Sequence, residues 1–183
     1  MIDRTFGTFR GAVRLALSYP EVAFGLAEIV HGKPEDVRRL VFVCHGNICR
    51  SAFADVLAKQ AGLNAISFGL STSSGKPAYP GTVLAAAEMG YDLSHHRTTT
   101  IDDHVPAEGD LLLAMETRHL RRIAPDLRLA SLPRTLLGLY ARPRVPHLHD
   151  PYELNTAYMQ TALRRIEGSI SVLKASFPNA NIA

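Results

Sequence analysis

Apolar and polar positions follow two rhythms along this chain. Leu40 to Val43 is an unbroken apolar run bounded by polar residues, which predicts a strand buried on both faces of a parallel sheet. A helical pattern starts at about Arg50, continues over 52–61 and stops at Gly62, a residue suited to the left-handed position beyond a helix. Residues 65–68 predict a second strand and 69–79 a flexible Ser/Gly loop, after which Pro80 opens a helix over 81–89 that Gly90 ends. Residues 110–115, uncharged after Asp110, predict a third strand; Thr117 can cap a helix through Ile123, which Pro125 stops. Residues 127–132 give a fourth strand. Residues 156–177 give one long amphipathic helix with Tyr158, Ala162, Ile166, Ile170 and Leu173 on its buried side. Strands alternating with helices predict an α/β three-layer sandwich, a parallel sheet covered on both faces, with active-site loops at the strands' carboxyl ends.

This pattern fills residues 39–183; residues 1–38 predict a helical extension. Phe6, Phe9, Val13 and Leu17 form one stripe at helical spacing. A break follows at Tyr19-Pro20, and Val22, Ala23, Leu26, Ile29 and Val30 form a second stripe, closed by Gly32-Lys33-Pro34. The expectation is a helical hairpin laid against the α/β domain. Homo-oligomer formation through these helices, membrane-surface association and a role as a regulatory subunit stay open, although basic residues on the polar faces are sparse for a membrane anchor.

The chemistry concentrates between the first strand and its helix, in Cys44-His45-Gly46-Asn47-Ile48-Cys49-Arg50-Ser51. A loop from a strand's carboxyl end to a helix's amino end directs backbone N–H groups inward, which suits an anion and favours a thiolate at the cysteine that opens the loop. Arg50 supplies a planar fork matched to two phosphate oxygens. Nucleophile and phosphate cradle share one short segment, so phosphoryl transfer is the expected chemistry. Gly46 permits close backbone approach, and Asn47 tolerates the positive φ such a loop needs. Cys49, five positions after Cys44, is placed to join it in a reversible disulfide on oxidation, with a small buried residue as the alternative.

Composition narrows the setting. The chain has 183 residues, 46% of them hydrophobic, enough for one α/β domain with a full core and a short appendage. A net charge of +3 suits an anionic substrate, and no Lys/Arg block is dense enough to argue for nucleic acid. Seven arginines fall between Arg118 and Arg144 with Asp126 as the opposing acid, which predicts a solvated face or, less simply, a channel steering phosphorylated partners. Two cysteines in one loop argue against a disulfide framework and for a reducing compartment. With no secretory h-region and no apolar run near the ~20 residues that span a bilayer, a cytoplasmic protein is expected. The histidines show no metal spacing; His147 and His149, two apart, are expected to be loop or strand neighbours.

The string Val43-Cys44-His45-Gly46-Asn47-Ile48-Cys49-Arg50-Ser51 resembles the active-site loop of low-molecular-weight protein tyrosine phosphatases, with similarity from about Leu40 to Phe177. The resemblance implies the phosphatase I-like fold, with a four-stranded parallel sheet, and hydrolysis of phosphotyrosine or a small aryl phosphate to inorganic phosphate. It implies that Cys44 attacks phosphorus to form a phosphocysteine, while the amides of His45, Gly46, Asn47, Ile48, Cys49 and Arg50 and the Arg50 side chain bind the oxygens. No metal and no cofactor is needed. Ser51 resembles the serine that donates to the sulfur, with a helix cap as its plain alternative. Asp150, in Asp150-Pro151-Tyr152, matches the general acid and later base, and Tyr152 would line the pocket mouth. Ser67 and the His96 of Asp92-Leu93-Ser94-His95-His96-Arg97 match the residues that brace the asparagine, here Asn47.

Two departures bear on substrate. The loop after the second strand lacks the family's usual aromatic wall, and Tyr79 is the residue available to complete the slot; Glu153 stands where many relatives carry a second aromatic. Ile48 keeps the bulky apolar side chain of tyrosine phosphatases, where phosphoarginine-acting relatives are associated with threonine. Two rival functions stay open: an arsenate reductase relying on external thiols, and a non-catalytic module that binds phosphoproteins. Asp150 favours hydrolysis over both.

Overall fold

A computed structural model describes residues 2–182. Four strands, β1 (Arg39–Cys44), β2 (Ala65–Gly69), β3 (Asp110–Ala114) and β4 (Arg134–Leu136), form one sheet in the order β2-β1-β3-β4 with every pairing parallel. Register sets Val43 beside Phe68 and Ala114, so the strands end at the same edge. The period-two alternation divides β1 between two cores. Leu40 and Phe42 pack with Leu111 and Leu113 under α3 (Arg50–Gln60), α4 (Pro80–Glu88) and α6 (Thr156–Ser176). Val41 and Val43 pack with Phe68, Leu112, Ile123 and Leu129 on the opposite face, where α5 (Thr117–Ile123) lies. The α/β three-layer fold with a four-stranded parallel sheet is therefore as expected. Strand order reverses between β1 and β3, and a crevice at such a point is where α/β sheets hold their ligands.

Several local expectations are corrected. The fourth strand is not 127–132 but Arg134–Leu136; Leu127 is exposed, and the 126–132 segment is a series of tight turns. Glu116, not Thr117, occupies the position before α5, where no side chain caps the helix, and Thr117 is the first helical residue. Arg134, expected on a solvated face, is buried and donates to the carbonyls of Glu28 and Ala130.

The amino-terminal arm departs most. It forms α1 (Ile2–Phe6) and α2 (Phe9–Ala23), broken at Gly7 (φ +74°) and not at Tyr19-Pro20. Pro20 sits inside α2, where its missing N–H falls in the last turns and Tyr19 Oη donates to the Arg144 carbonyl. The second helix, over 22–30, is absent: Gly25 and Glu28 adopt positive φ, and Val30 instead pairs antiparallel with Arg134 at the edge of β4 through two 2.9 Å bonds. Beyond Phe6, which lies in α1 and packs against the core, the predicted stripe is helical but faces outward. Phe9, Val13 and Leu17 are 71%, 40% and 58% exposed, while Gly11, Leu15 and Ser18 are buried. Among the described residues no helix is long and apolar enough to cross a membrane.

Candidate active site

Residues 44–50 curl between β1 and α3. Cys44 Sγ lies 2.9 Å from Ser51 Oγ and accepts from the Asn47 amide at 3.2 Å. Among the described residues, the amides of His45, Gly46, Ile48 and Cys49 donate to no protein acceptor, so they are available to an anion. Asn47, at φ +54° and wholly buried, holds this curl. Its side-chain amide donates to Ser51 Oγ and Ser67 Oγ, both at 2.9 Å, and its Oδ1 accepts from the Thr99 amide. His96 Nε2 lies 2.8 Å from the Asn47 carbonyl, and Ser67 Oγ donates onward to Asp55. Burial keeps His96 below its ordinary pKa despite the bond to Asn47 and raises Asp55 despite Lys59. Gly69 lets β2 close on the loop, because a Cβ there would meet Thr72, Asn47 and the Gly46 backbone at 2.8–3.0 Å. The neighbouring His95 is exposed and takes no part in this bracing.

Arg50 is buried, and its partners come from far along the chain. Nη1 donates to Glu116 Oε1 at 2.5 Å and to the Leu148 carbonyl at 2.9 Å; Nη2 donates to Asp150 Oδ2 at 2.6 Å. Its Nε is buried without a partner. Burial pulls the guanidinium's pKa down, but Asp150 and Glu116 overcome this and hold it charged. Glu116 is itself held well below the usual carboxylate range: burial opposes its charge, and the charge of Arg50 with the hydrogen bond from Arg118 favours it. The same burial, with Arg50 nearby, depresses His119 to about 3 and His147 to about 4, so both rings are neutral near pH 7. His147 and His149 stack at 5.7 Å as loop neighbours.

Asp150 closes the site. Oδ1 accepts from the Tyr152 amide at 3.3 Å and the side chain is 31% exposed, so its carboxyl faces both the guanidinium and solvent. Cys44, His45, Gly46, Ile48, Cys49, Arg50, Asp150 and Tyr152 all line one cavity of about 230 Å³, joined by Ser71, Thr72 and Lys76. Tyr152 is the aromatic residue lining this cavity, and Tyr79, which does not line it, packs edge-on behind Tyr152 with centroids 4.9 Å apart. The cysteines are free, and burial pushes the Cys49 thiol up to about 12. Sequence reasoning missed two site residues, Glu116 and Lys76. An acid directly beyond a buried strand, after Met115, was a legible signal for the first; nothing marked Lys76 within its polar loop.

A sulfur set in a curl of unspent amides, beside a buried guanidinium and a carboxyl group, defines a site of the cysteine-dependent phosphatase class. The family model for low molecular weight phosphotyrosine protein phosphatases matches residues 39–180, and the chain belongs to that family. It is 31% identical over 136 residues to the low molecular weight protein-tyrosine-phosphatase Wzb of Salmonella typhi, covering 72% of this chain and 88% of Wzb. It is 29% identical over 144 residues to a probable low molecular weight protein-tyrosine-phosphatase, EpsP, of Ralstonia solanacearum, covering 73% and 92%. The solved low molecular weight protein tyrosine phosphatase of T. tengcongensis superposes with a TM-score of 0.65 at 27% identity, over 75% of this chain and 97% of that one.

Proposed function

We propose that this protein hydrolyses phosphotyrosine in proteins through a phosphocysteine. The Cys44 thiolate attacks phosphorus, and the P–O bond to the phenol breaks as Asp150 donates its proton to the departing oxygen. The unspent amides of His45, Gly46, Ile48 and Cys49 and the Arg50 guanidinium, including its unpartnered Nε, bind the three non-bridging oxygens through both transition states. Ser51 Oγ, 2.9 Å from the sulfur, donates to it as it becomes the leaving group. Asp150, now a carboxylate, takes a proton from the water that attacks phosphorus; the P–S bond breaks and inorganic phosphate leaves. Asn47, braced by Ser67 and His96, keeps the curl open.

The observation that carries the reading is the 2.6 Å contact between Arg50 and Asp150, which brings a candidate acid from a hundred residues away to the mouth of the Cys44 loop. Ile48 and Tyr152, with Tyr79 packed behind it, favour a flat aromatic substrate over a guanidine phosphate. Arsenate reduction has less support, since the chain has two cysteines, both in the loop, and a carboxyl group suited to protonating a phenolate. With p-nitrophenyl phosphate at mildly acidic pH, Cys44→Ser abolishes turnover while retaining phosphate affinity; equal activity in wild type and Cys44→Ser overturns the mechanism. We further propose a cytoplasmic setting and a homo-oligomer formed through the outward face of α2. Sedimentation of wild type and Leu17→Asp tests the latter, and a monomer at all concentrations refutes it.

A further inference from the structure

We infer that the amino-terminal arm is part of the acid machinery: Thr8, acting through His149, positions Asp150 for proton transfer. This rests on the reading of Asp150 as general acid. The family match begins at residue 39, so the arm is an addition to the matched domain. One of its contacts falls on the segment that carries Asp150. Thr8 Oγ1 lies 3.1 Å from His149 Nε2, and the same hydroxyl oxygen accepts from the Gly11 amide at 2.9 Å. With that lone pair used, the hydroxyl proton is free to donate to the ring nitrogen. Burial, together with Arg50, holds His149 below its ordinary pKa, and the neutral ring bonds Thr8 in either tautomer, since the hydroxyl donates to a bare Nε2 or accepts from Nε2–H on its second lone pair.

The arm packs closely at this point. A Cβ at Gly11 would meet His149 Cδ2 at 2.7 Å and Cγ at 2.9 Å, so only glycine lets α2 lie against the imidazole. Four residues earlier, Gly7 at φ +74° occupies space where a Cβ would meet the Tyr158 ring at 2.6 Å and Leu154 at 2.9 Å. Tyr158 Oη in turn donates to the His149 carbonyl at 3.3 Å. The residue before His149 is already fixed, its amide on Met115 and its carbonyl on Arg50. Asp150 itself is held by one guanidinium contact and one long bond from Tyr152. His149 is the joint between the fixed Leu148 and the partly exposed acid, and the arm holds that joint by its side chain. A proton donor displaced by a fraction of an ångström loses much of its effect.

The test is the dependence of kcat/KM on the leaving group. p-Nitrophenyl phosphate loses its phenolate with little help, whereas phenyl phosphate releases one with a tyrosine-like pKa of about 10. Thr8→Val and His149→Phe break the contact from opposite ends, and His149→Phe leaves the α2 cap intact should loss of that cap disturb Thr8→Val. Each is expected to lower kcat/KM by about 3- to 10-fold for phenyl phosphate and by less than about 2-fold for p-nitrophenyl phosphate, with inhibition by inorganic phosphate unchanged. Thr8→Ser keeps the wild-type dependence, and the double variant is no worse than either single one. A loss equal for both substrates, or none, overturns the inference. Asp150→Ala separates the two levels: if it steepens the dependence and the arm variants do not, the arm's role alone fails. If it does not steepen, the assignment of the acid fails and the arm's role with it.

Discussion

Replacing Glu116 by alanine is the sharpest test of how the buried guanidinium is held. Arg50 and Glu116 side chains are each 1% exposed and joined at 2.5 Å, so their desolvation is essentially complete. Removing one partner from such a pair costs about 3–5 kcal/mol, because the remaining charge has no water to return to. Two features pull the value to the lower end. Asp150 still faces Nη2 at 2.6 Å, and Arg118, the other cation on Glu116, is 46% exposed and regains solvent. A loss of about 3 kcal/mol follows, which in a chain of this size lowers Tm by about 6–12 °C. Thermal unfolding at pH 7 of Glu116→Ala, Arg50→Met and the double variant measures it. The double variant should cost clearly less than the sum, since it leaves no uncompensated buried cation. Additive costs, or a single-variant loss below about 1 kcal/mol, would show that water or a rearranged Arg118 already solvates the site, and the reasoning fails.

Asn47→Ala should cost about 3 kcal/mol, from three side-chain hydrogen bonds and a positive φ, and should lower turnover sharply. Asn47→Gly should recover about 1 kcal/mol of the backbone strain without restoring activity; recovery of activity would mean that φ alone shapes the loop. Acidification should destabilise the fold in two stages. His119 and His147 are neutral in the folded state down to about 3 and 4, so the unfolded chain binds their protons first, and stability falls by about 1.4 kcal/mol per pH unit for each as pH drops below about 6.5. Glu116 adds its loss below the ordinary carboxylate pKa, because its folded pKa is lowered. His147→Gln should flatten the first stage in a Tm-against-pH series, and an unchanged slope would place the proton uptake elsewhere. Peroxide should inactivate Cys49→Ser in a way that reductant does not reverse, whereas wild type recovers as a Cys44 sulfenic acid condenses with the Cys49 thiol and releases water; full recovery of the variant removes that role.

What the sequence disclosed about this molecule depended on how local each feature is. The loop of 44–51 is contiguous, and its Gly, Asn and Arg have little use in a packed core, so its chemistry could be read directly. Asp150 is a common turn residue on its own and gained meaning through the family resemblance. Glu116 was passed over because the strand that delivers it ends two residues earlier, and its partner is 66 positions away. The arm was misread for a different reason. Phe9, Val13 and Leu17 do repeat at helical spacing, but apolar bulk records what avoids water in general, not which face meets a particular neighbour. The face that docks is Gly11, Leu15 and Ser18, where two of the three residues are small enough for α2 to approach closely. The fourth strand shows the same inversion. The apolar run over 127–132 gave way to Arg134, Thr135 and Leu136, because Arg134 meets Val30 in a two-bond bridge and its side chain finds two carbonyls. Hydrophobic periodicity finds elements whose burial is paid in area; contacts made through glycine and through satisfied polar groups bring catalytic segments together, and they leave no such trace.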